Sequence, residues 1–355
     1  MKIVRDWLFI ILFFSNIPAS AGSNGVAFGG FESKPEKGQI SFSNPGYEIS
    51  HILKDGAPFI KPEMEGAGSK SEPGQPDLPT MSTYYAVEPG KIFTINASIK
   101  ESEVIENVEV VPFETWNSQP TGVIEKGVTY QQSSSFPANI ATVSDPMVFR
   151  DIVMVQVSVT PFQYNPVSKT LTVIQEIDLE LVESGATEVP HIPQKKSREF
   201  EILYESLVVN YPSTIREGEE VYQRPSILYV LPNNIGNLLS TVEELMNWKK
   251  RVGFDVQYVS TSSIVNNRNN LKNYIEDAYE TWENPPVHVT IVGDVDGSYD
   301  IPTWNESYSG YSGEGDMPYT TLEGNDVYPE VFIGRMSFST SSHLNTIISK
   351  TLNYE

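Results

Sequence analysis

The chain has 355 residues, 39% of them hydrophobic, no cysteine, and a formal net charge of −22. The charge divides into −12 up to Arg224 and −10 from Pro225 onward, and acidity in both halves argues against nucleic acid or anionic membrane as a partner, because each requires a Lys/Arg footprint. Sixteen Phe and eighteen Tyr can fill a real core, the length suits two domains of ~100 to 200 residues, and a chain without thiols forms no disulfides.

Residues 1–21 combine a basic start at Lys2 and Arg5, an apolar run from Trp7 to Phe14, and small residues at Ala19, Ser20 and Ala21. This is the pattern of a secretory signal peptide. A membrane span needs about twenty unbroken apolar residues, and Ser15, Asn16 and Pro18 interrupt this one. The expectation is export to the cell surface or the medium, with no membrane span once the signal is removed.

Residues 22–184 alternate in the manner of strands. Val153, Val155, Val157 and Val159 are apolar within IVMVQVSV, and Ile177, Leu179 and Leu181 are set against Glu176, Asp178 and Glu180. The two runs, joined by a turn with Pro161, Asn165 and Pro166, read as one hairpin, and the whole stretch reads as an antiparallel sandwich or barrel. Residues 185–224 then lose the alternation. Pro190, Pro193, the basic cluster from Lys195 to Arg198, Pro212, Arg216 and Arg224 mark a linker by composition, with sites for a trypsin-like cut.

From residue 225 onward, strands at 227–231, 254–259, 287–292 and 331–333 alternate with helical spacing at 238–252, at 271–282 and from 341 to 354. Such alternation demands parallel crossovers, hence a layered α/β sheet with helices on both faces. The third strand stops at Gly293 and opens into an acidic stretch. Between Gly293 and Glu330 there are nine Asp and Glu and no Lys or Arg, and open α/β sheets place ligands beyond the carboxyl ends of their strands.

Asp294, Asp296 and Asp300, with Asp326 after the return, supply the hard oxygen atoms that Ca²⁺ favours, and carbonyls and water could complete six to eight positions. The same residues also suit a solvated loop or helix N-caps, and metal-assisted catalysis is a third reading. His51, His191, His288 and His343 are scattered, with no zinc-binding pair. SGYSGEG at 309–315 lacks the glycine that a serine nucleophile elbow needs, and no phosphate-cradling loop occurs.

VGDVDGSYDIP, GNDVYPEVFIGRMS at 324–337 and the final LNYE resemble the gingipain-type cysteine peptidases of family C25. GQPDLPTMSTYYAVEPG at 74–90 and RDIVMVQVSVTPFQYNPVSKTLTV at 150–173 are similar to that family's β-sandwich propeptide. The resemblance implies residues 1–21 as signal peptide, 22–184 as β-sandwich propeptide, 185–224 as linker with processing sites, and 225–355 as the N-terminal part of a caspase-like peptidase domain. It implies an exported zymogen of a cysteine endopeptidase acting on proteins or peptides, held by an intramolecular contact between propeptide and catalytic domain. The propeptide is expected to cover the cleft. The catalytic Cys and His are expected beyond Glu355, so no catalytic residue is assigned here and the chain by itself is expected to be inactive. The family's use of calcium adds to the metal reading of Asp294 and Asp326, and the preference for Arg, Lys or another side chain at the cut stays open. The competing reading is a secreted, non-enzymatic binding or adhesion protein that carries an inactive peptidase-like domain.

Overall fold

The structure, a computed structural model, describes residues 29–54, 56–114, 125–188, 191, 192, 194–211, 222–308 and 311–355. The expected signal peptide at 1–21 lies outside the described residues, as does Arg216 of the expected linker.

Two antiparallel five-stranded sheets form the first half. One holds β1 (Phe31–Ser33), β2 (Gln39–Ser43), β12 (Thr170–Ala186) and β11 (Phe162–Asn165), with β7 (Lys91–Ile105) running along β12. The other holds β5 (Gly68–Ser69), β6 (Pro79–Val87), β10 (Ile152–Val159) and β8 (Ala141–Val143), with β9 (Met147–Phe149) on β10. Phe42, Leu171, Ile177 and Leu179 of the first sheet share one apolar cluster with Tyr85, Val155, Val157 and Val159 of the second. Period-two alternation put these residues on the inner faces. β3 (Glu48–Lys54) and β4 (Ala57–Glu63) form a separate hairpin.

The hairpin expected between 152–159 and 176–183 is not formed. β10 pairs with β6 in one sheet, and β12 pairs with β11, β2 and β7 in the other. Alternation fixes which face of a strand is buried but says nothing of its partner. β10 also departs from one-face burial, since Met154 and Ser158 are buried as well. Met154 packs outward against Phe149, Phe200 and Tyr204.

That packing corrects the linker expectation too. The stretch contains a helix, Arg198–Leu207, whose Phe200 and Tyr204 lie one turn apart on its buried face. With Phe149, Val208, Tyr211 and Val287 they form an aromatic cluster between the two halves of the molecule. The helix is a wedge, not a solvated tether.

In the second half β13 (Ser226–Leu231), β14 (Asp255–Ser260), β15 (His288–Val292) and β18 (Phe332–Met336) form a parallel sheet in the order β14-β13-β15-β18. The Leu239–Arg251 and Ser341–Tyr354 helices cover one face through Val242, Leu245, Met246, Leu344 and Ile348. The Arg268–Thr281 helix covers the other through Leu271, Ile275 and Tyr279. Both faces of β13 are therefore buried, which is why all six of its residues are buried. The Arg268–Thr281 helix begins at Asn267, whose side chain accepts from the N–H groups of Asn269 and Asn270, satisfying two donors that the first turn leaves free. A further hairpin, β16 (Trp304–Tyr308) with β17 (Tyr311–Gly315), interrupts the crossover from β15 to β18. No helix among the described residues is long and apolar enough to cross a membrane.

Candidate functional site

β13 and β15 lie side by side, and the chain leaves them in opposite directions, to β14 on one flank and to β18 on the other. The crevice at the carboxyl ends of two such strands is where open α/β sheets bind ligands. Here it is framed by the turn after β13 and by the loop from Gly293 to Ile301, bridged by a hydrogen bond from the Asn234 side-chain amide to the Ser298 carbonyl.

Close approach makes glycine necessary at the start of this loop. A Cβ on Gly293 would stand 2.5 Å from the Tyr299 carbonyl oxygen and 3.2 Å from Ile301 Cδ1. The loop folds back on itself: the Asp294 N–H donates to the Tyr299 carbonyl at 3.1 Å, and the Ile301 N–H to the Asp294 carbonyl at 2.7 Å. Asp294 Oδ1 accepts from the Val295 N–H at 2.9 Å, Asp300 Oδ2 accepts from the Asn266 amide at 2.7 Å, and Asp296 is exposed.

Arg335, near the end of β18, holds this loop in place. Its Nη1 donates to the carbonyls of Ile301 at 2.8 Å, Asp294 at 3.2 Å and Gly293 at 3.3 Å. Its Nε and Nη2 clamp both oxygens of Asp316 at 2.8 and 2.7 Å. Planar guanidinium donors suit this two-sided task as a lysine would not. The EVFIGR motif assigns Arg335 no role from sequence alone; the signal for one is an arginine at the carboxyl end of an apolar strand, preceded in the chain by an acidic crossover.

The structure does not bring the four aspartates together. Asp326 lies six residues before β18, at the amino end of the sheet, whereas Asp294, Asp296 and Asp300 follow β15 at its carboxyl end. At ~3.3 Å per residue, roughly 13 Å of strand separates the two ends. Among the described residues no group of three or more His, Asp or Glu side chains is placed to hold a metal ion.

Asp326 instead joins a network at the junction with the first half. Its Oδ2 accepts from the Val148 N–H at 2.8 Å and its Oδ1 from the Tyr328 N–H at 2.9 Å. Burial raises its carboxyl above the usual range, against the pull of those two donors. The Tyr328 and Tyr84 hydroxyls meet at 2.6 Å. Glu323 accepts from the Tyr279 hydroxyl at 2.9 Å and from the Ile192 N–H, with His191 Nδ1 at 3.2 Å. Glu330 is fully buried; its Oε2 accepts from the N–H groups of Leu322 at 2.6 Å and Glu323 at 3.2 Å, while Oε1 has no partner. Burial pushes its carboxyl up to about 8, so it is largely neutral at physiological pH.

The remaining histidines have structural surroundings. His288 stacks on Phe332 with ring centroids 5.3 Å apart, and burial lowers its pKa. His343 sits in the first turn of the last helix, where its N–H donates to the Thr340 hydroxyl at 3.3 Å. His51 is exposed on β3.

Comparison with known proteins matches both halves of the chain in order. Residues 33–218 match the C25 propeptide family and residues 221–355 match peptidase family C25. Gingipain R2 of Porphyromonas gingivalis is 29% identical over 301 residues, covering 80% of this chain and 39% of that protein. Gingipain R1 of the same organism is 31% identical over 296 residues, covering 80% of this chain and 28% of that protein. Lys-gingipain is 24% identical over 338 residues, covering 89% and 19%. The chain thus spans less than two-fifths of the length of these relatives. A solved complex of P. gingivalis RgpB pro- and mature domains aligns with a TM-score of 0.44 and 26% identity over 52% of this chain and 98% of that one.

Proposed function

The chain belongs to peptidase family C25, as its propeptide and the start of its peptidase domain, and on that premise we propose that it is the N-terminal portion of an exported cysteine endopeptidase zymogen. The observation that carries this reading is the ordered match of propeptide family and peptidase family along one chain, from residue 33 to residue 355. In this reading the four-stranded sheet is the first part of a caspase-like domain, residues 1–21 direct export to the surface or the medium, and proteins or peptides are the substrates. The sequence contains no cysteine, so in this reading the attacking thiolate is supplied from outside these 355 residues, and the chain alone is expected to be inactive.

The intramolecular contact takes a particular form. The first half meets the amino ends of β15 and β18, through Val148 to Asp326 and Tyr84 to Tyr328, while the crevice of open α/β sheets lies at the carboxyl ends. Within the described residues this contact lies at the end of the sheet opposite that crevice, and cover of the catalytic cleft by the first half stays part of the proposal, because in this reading the residues that cut lie outside these 355. The test is to sequence the coding region past codon 355 and assay its full product. Peptide-bond hydrolysis that iodoacetamide abolishes is expected from the longer protein and none from residues 1–355; a verified stop codon after 355 would remove the peptidase assignment.

Calcium is part of the same proposal, in a restricted form. Asp294, Asp296 and Asp300 place hard oxygen atoms on one loop, and water could complete the coordination. The side chains as placed do not form a cage, since Asp294 Oδ1 and Asp300 Oδ2 already accept hydrogen bonds. Asp326 would need an ion of its own. Binding to the folded state raises the melting temperature by linkage, so Ca²⁺ should stabilise the wild-type chain more than Asp294→Ala. An identical response of the two would refute this loop as the site.

A further inference from the structure

We propose that Arg150 is the key by which the first half of the chain grips the second: its guanidinium fills a socket of oxygen acceptors at the amino ends of β15 and β18, and docking of the two halves depends on it. This role goes beyond the peptidase reading and does not rest on it.

Arg150 lies in the turn between β9 and β10 and is completely buried. Its backbone φ is +50°, a region that side-chain-bearing residues rarely occupy and that persists only where the surroundings over-determine it. The turn thereby aims the side chain out of the sandwich and into the α/β half. There Nη1 donates to the Pro286 carbonyl at 3.1 Å and to the Glu330 carbonyl, and Nη2 donates to Gln223 Oε1 at 2.8 Å. Nε stands 3.5 Å from Asp151 Oδ1. The rings of Phe200 and Tyr279 lie 5.1 and 5.5 Å from the guanidinium carbon, one ring from each half.

The socket is built for a guanidinium and not for any cation. Its acceptors are two main-chain carbonyls and one amide, spread around a plane that arginine's fixed fork can reach and that a single ammonium cannot. Gln223 is held in turn, its Nε2 donating to the Pro285 carbonyl at 3.0 Å and to Ser226 Oγ at 3.3 Å. Removal of Arg150 would strand the Pro286 and Glu330 carbonyls in a buried place, where backbone acceptors need partners. Arg150 Nε and Glu330 Oε1 already lack hydrogen-bond partners in the same place, so the socket is not fully satisfied even with the arginine present.

The test uses the whole chain, with calorimetric melting of wild type, Arg150→Ala and Arg150→Lys. Wild type should melt in one transition. Arg150→Ala should split into two, the lower one falling by about 5–15 °C, and Arg150→Lys should resemble Arg150→Ala. Tens of millimolar methylguanidinium should raise the lower transition of Arg150→Ala, and methylammonium should not. Gln223→Leu, which removes one acceptor and keeps the arginine, decides the matter should neither Arg150 variant fold; its lower transition should also fall. The role is overturned by two independent transitions in wild type, by Arg150→Lys melting like wild type, by equal responses to the two added cations, or by an unchanged melt of Gln223→Leu.

Discussion

At the carboxyl end of the parallel sheet Arg335 reaches from β18 to hold an acidic loop, while at the amino end Arg150 arrives from a different sheet and disappears into the interior. Arg335 has a carboxylate to clamp: its side chain is 10% exposed and that of Asp316 18%. Arg150 is wholly buried, and its contacts are mainly to carbonyl and amide oxygens. The first arrangement organises a surface within one half, and its polar groups can still reach water. The second joins two halves, and there every polar group left without a partner bears the full cost of desolvation. One sheet thus uses its two ends for different work, an acidic loop pinned by an arginine at one and an intramolecular junction at the other.

The sharpest way to separate the ends is by pH. The Glu330 carboxyl is raised from 4.5 to about 8 in the folded chain, so the folded state holds its proton more tightly than the unfolded state does. Its contribution is complete below about pH 4.5 and is lost progressively as pH rises toward 8, on the order of 5 kcal/mol in all. Denaturant titrations of wild type should show that decline, and Glu330→Gln should flatten it; equal slopes for the two chains would deny the buried, protonated state. Next in size is Arg335→Ala, which leaves Asp316 and three loop carbonyls without their donor. It should cost about 3 kcal/mol and expose the loop after Gly293 to proteases while the junction around Arg150 stays closed.

Gly293→Ala forces a Cβ to within 2.5 Å of a backbone oxygen and should cost about 2 kcal/mol in the same titration, again confined to the carboxyl end. Tyr328→Phe removes one hydroxyl of the pair that links the halves at 2.6 Å. It should cost about 1 kcal/mol, and its effect should be non-additive with Tyr84→Phe, because the two hydroxyls form one hydrogen bond. Strict additivity would mean that this bond does not tie the halves.

The two ends also differ in how far they could be read in advance. The four strands of the parallel sheet and the three helices that cover it are legible from periodicity, and the Ser341–Tyr354 helix matches its expected span, whereas the hairpin of β16 and β17 is not. The acidic loop is legible too, because Gly293 ends an apolar strand and exposed charge announces itself. The junction was not legible, since arginine and glutamate are almost never fully buried and nothing in a linear sequence marks Arg150 or Glu330 as exceptions. The Arg198–Leu207 helix was hidden by the prolines and basic residues around it, although Phe200 and Tyr204 carry its helical spacing. Asp326 was grouped with Asp294 because both sit in one acidic stretch, and only a parallel sheet, which returns the chain from one end to the other, pulls them apart. Partner choice was hidden in the same way for β10 and β12, whose alternation is clear and whose sheets are different.

Amide hydrogen exchange on the whole chain, wild type against Arg150→Lys, tests the division of labour most directly. Protection should fall at 146–151, at 198–211 and at 322–332, which meet at the junction, while the loop from 293 to 301 keeps its wild-type exchange. Loss of protection in that loop to the same degree, or unchanged protection at the junction, would contradict the account.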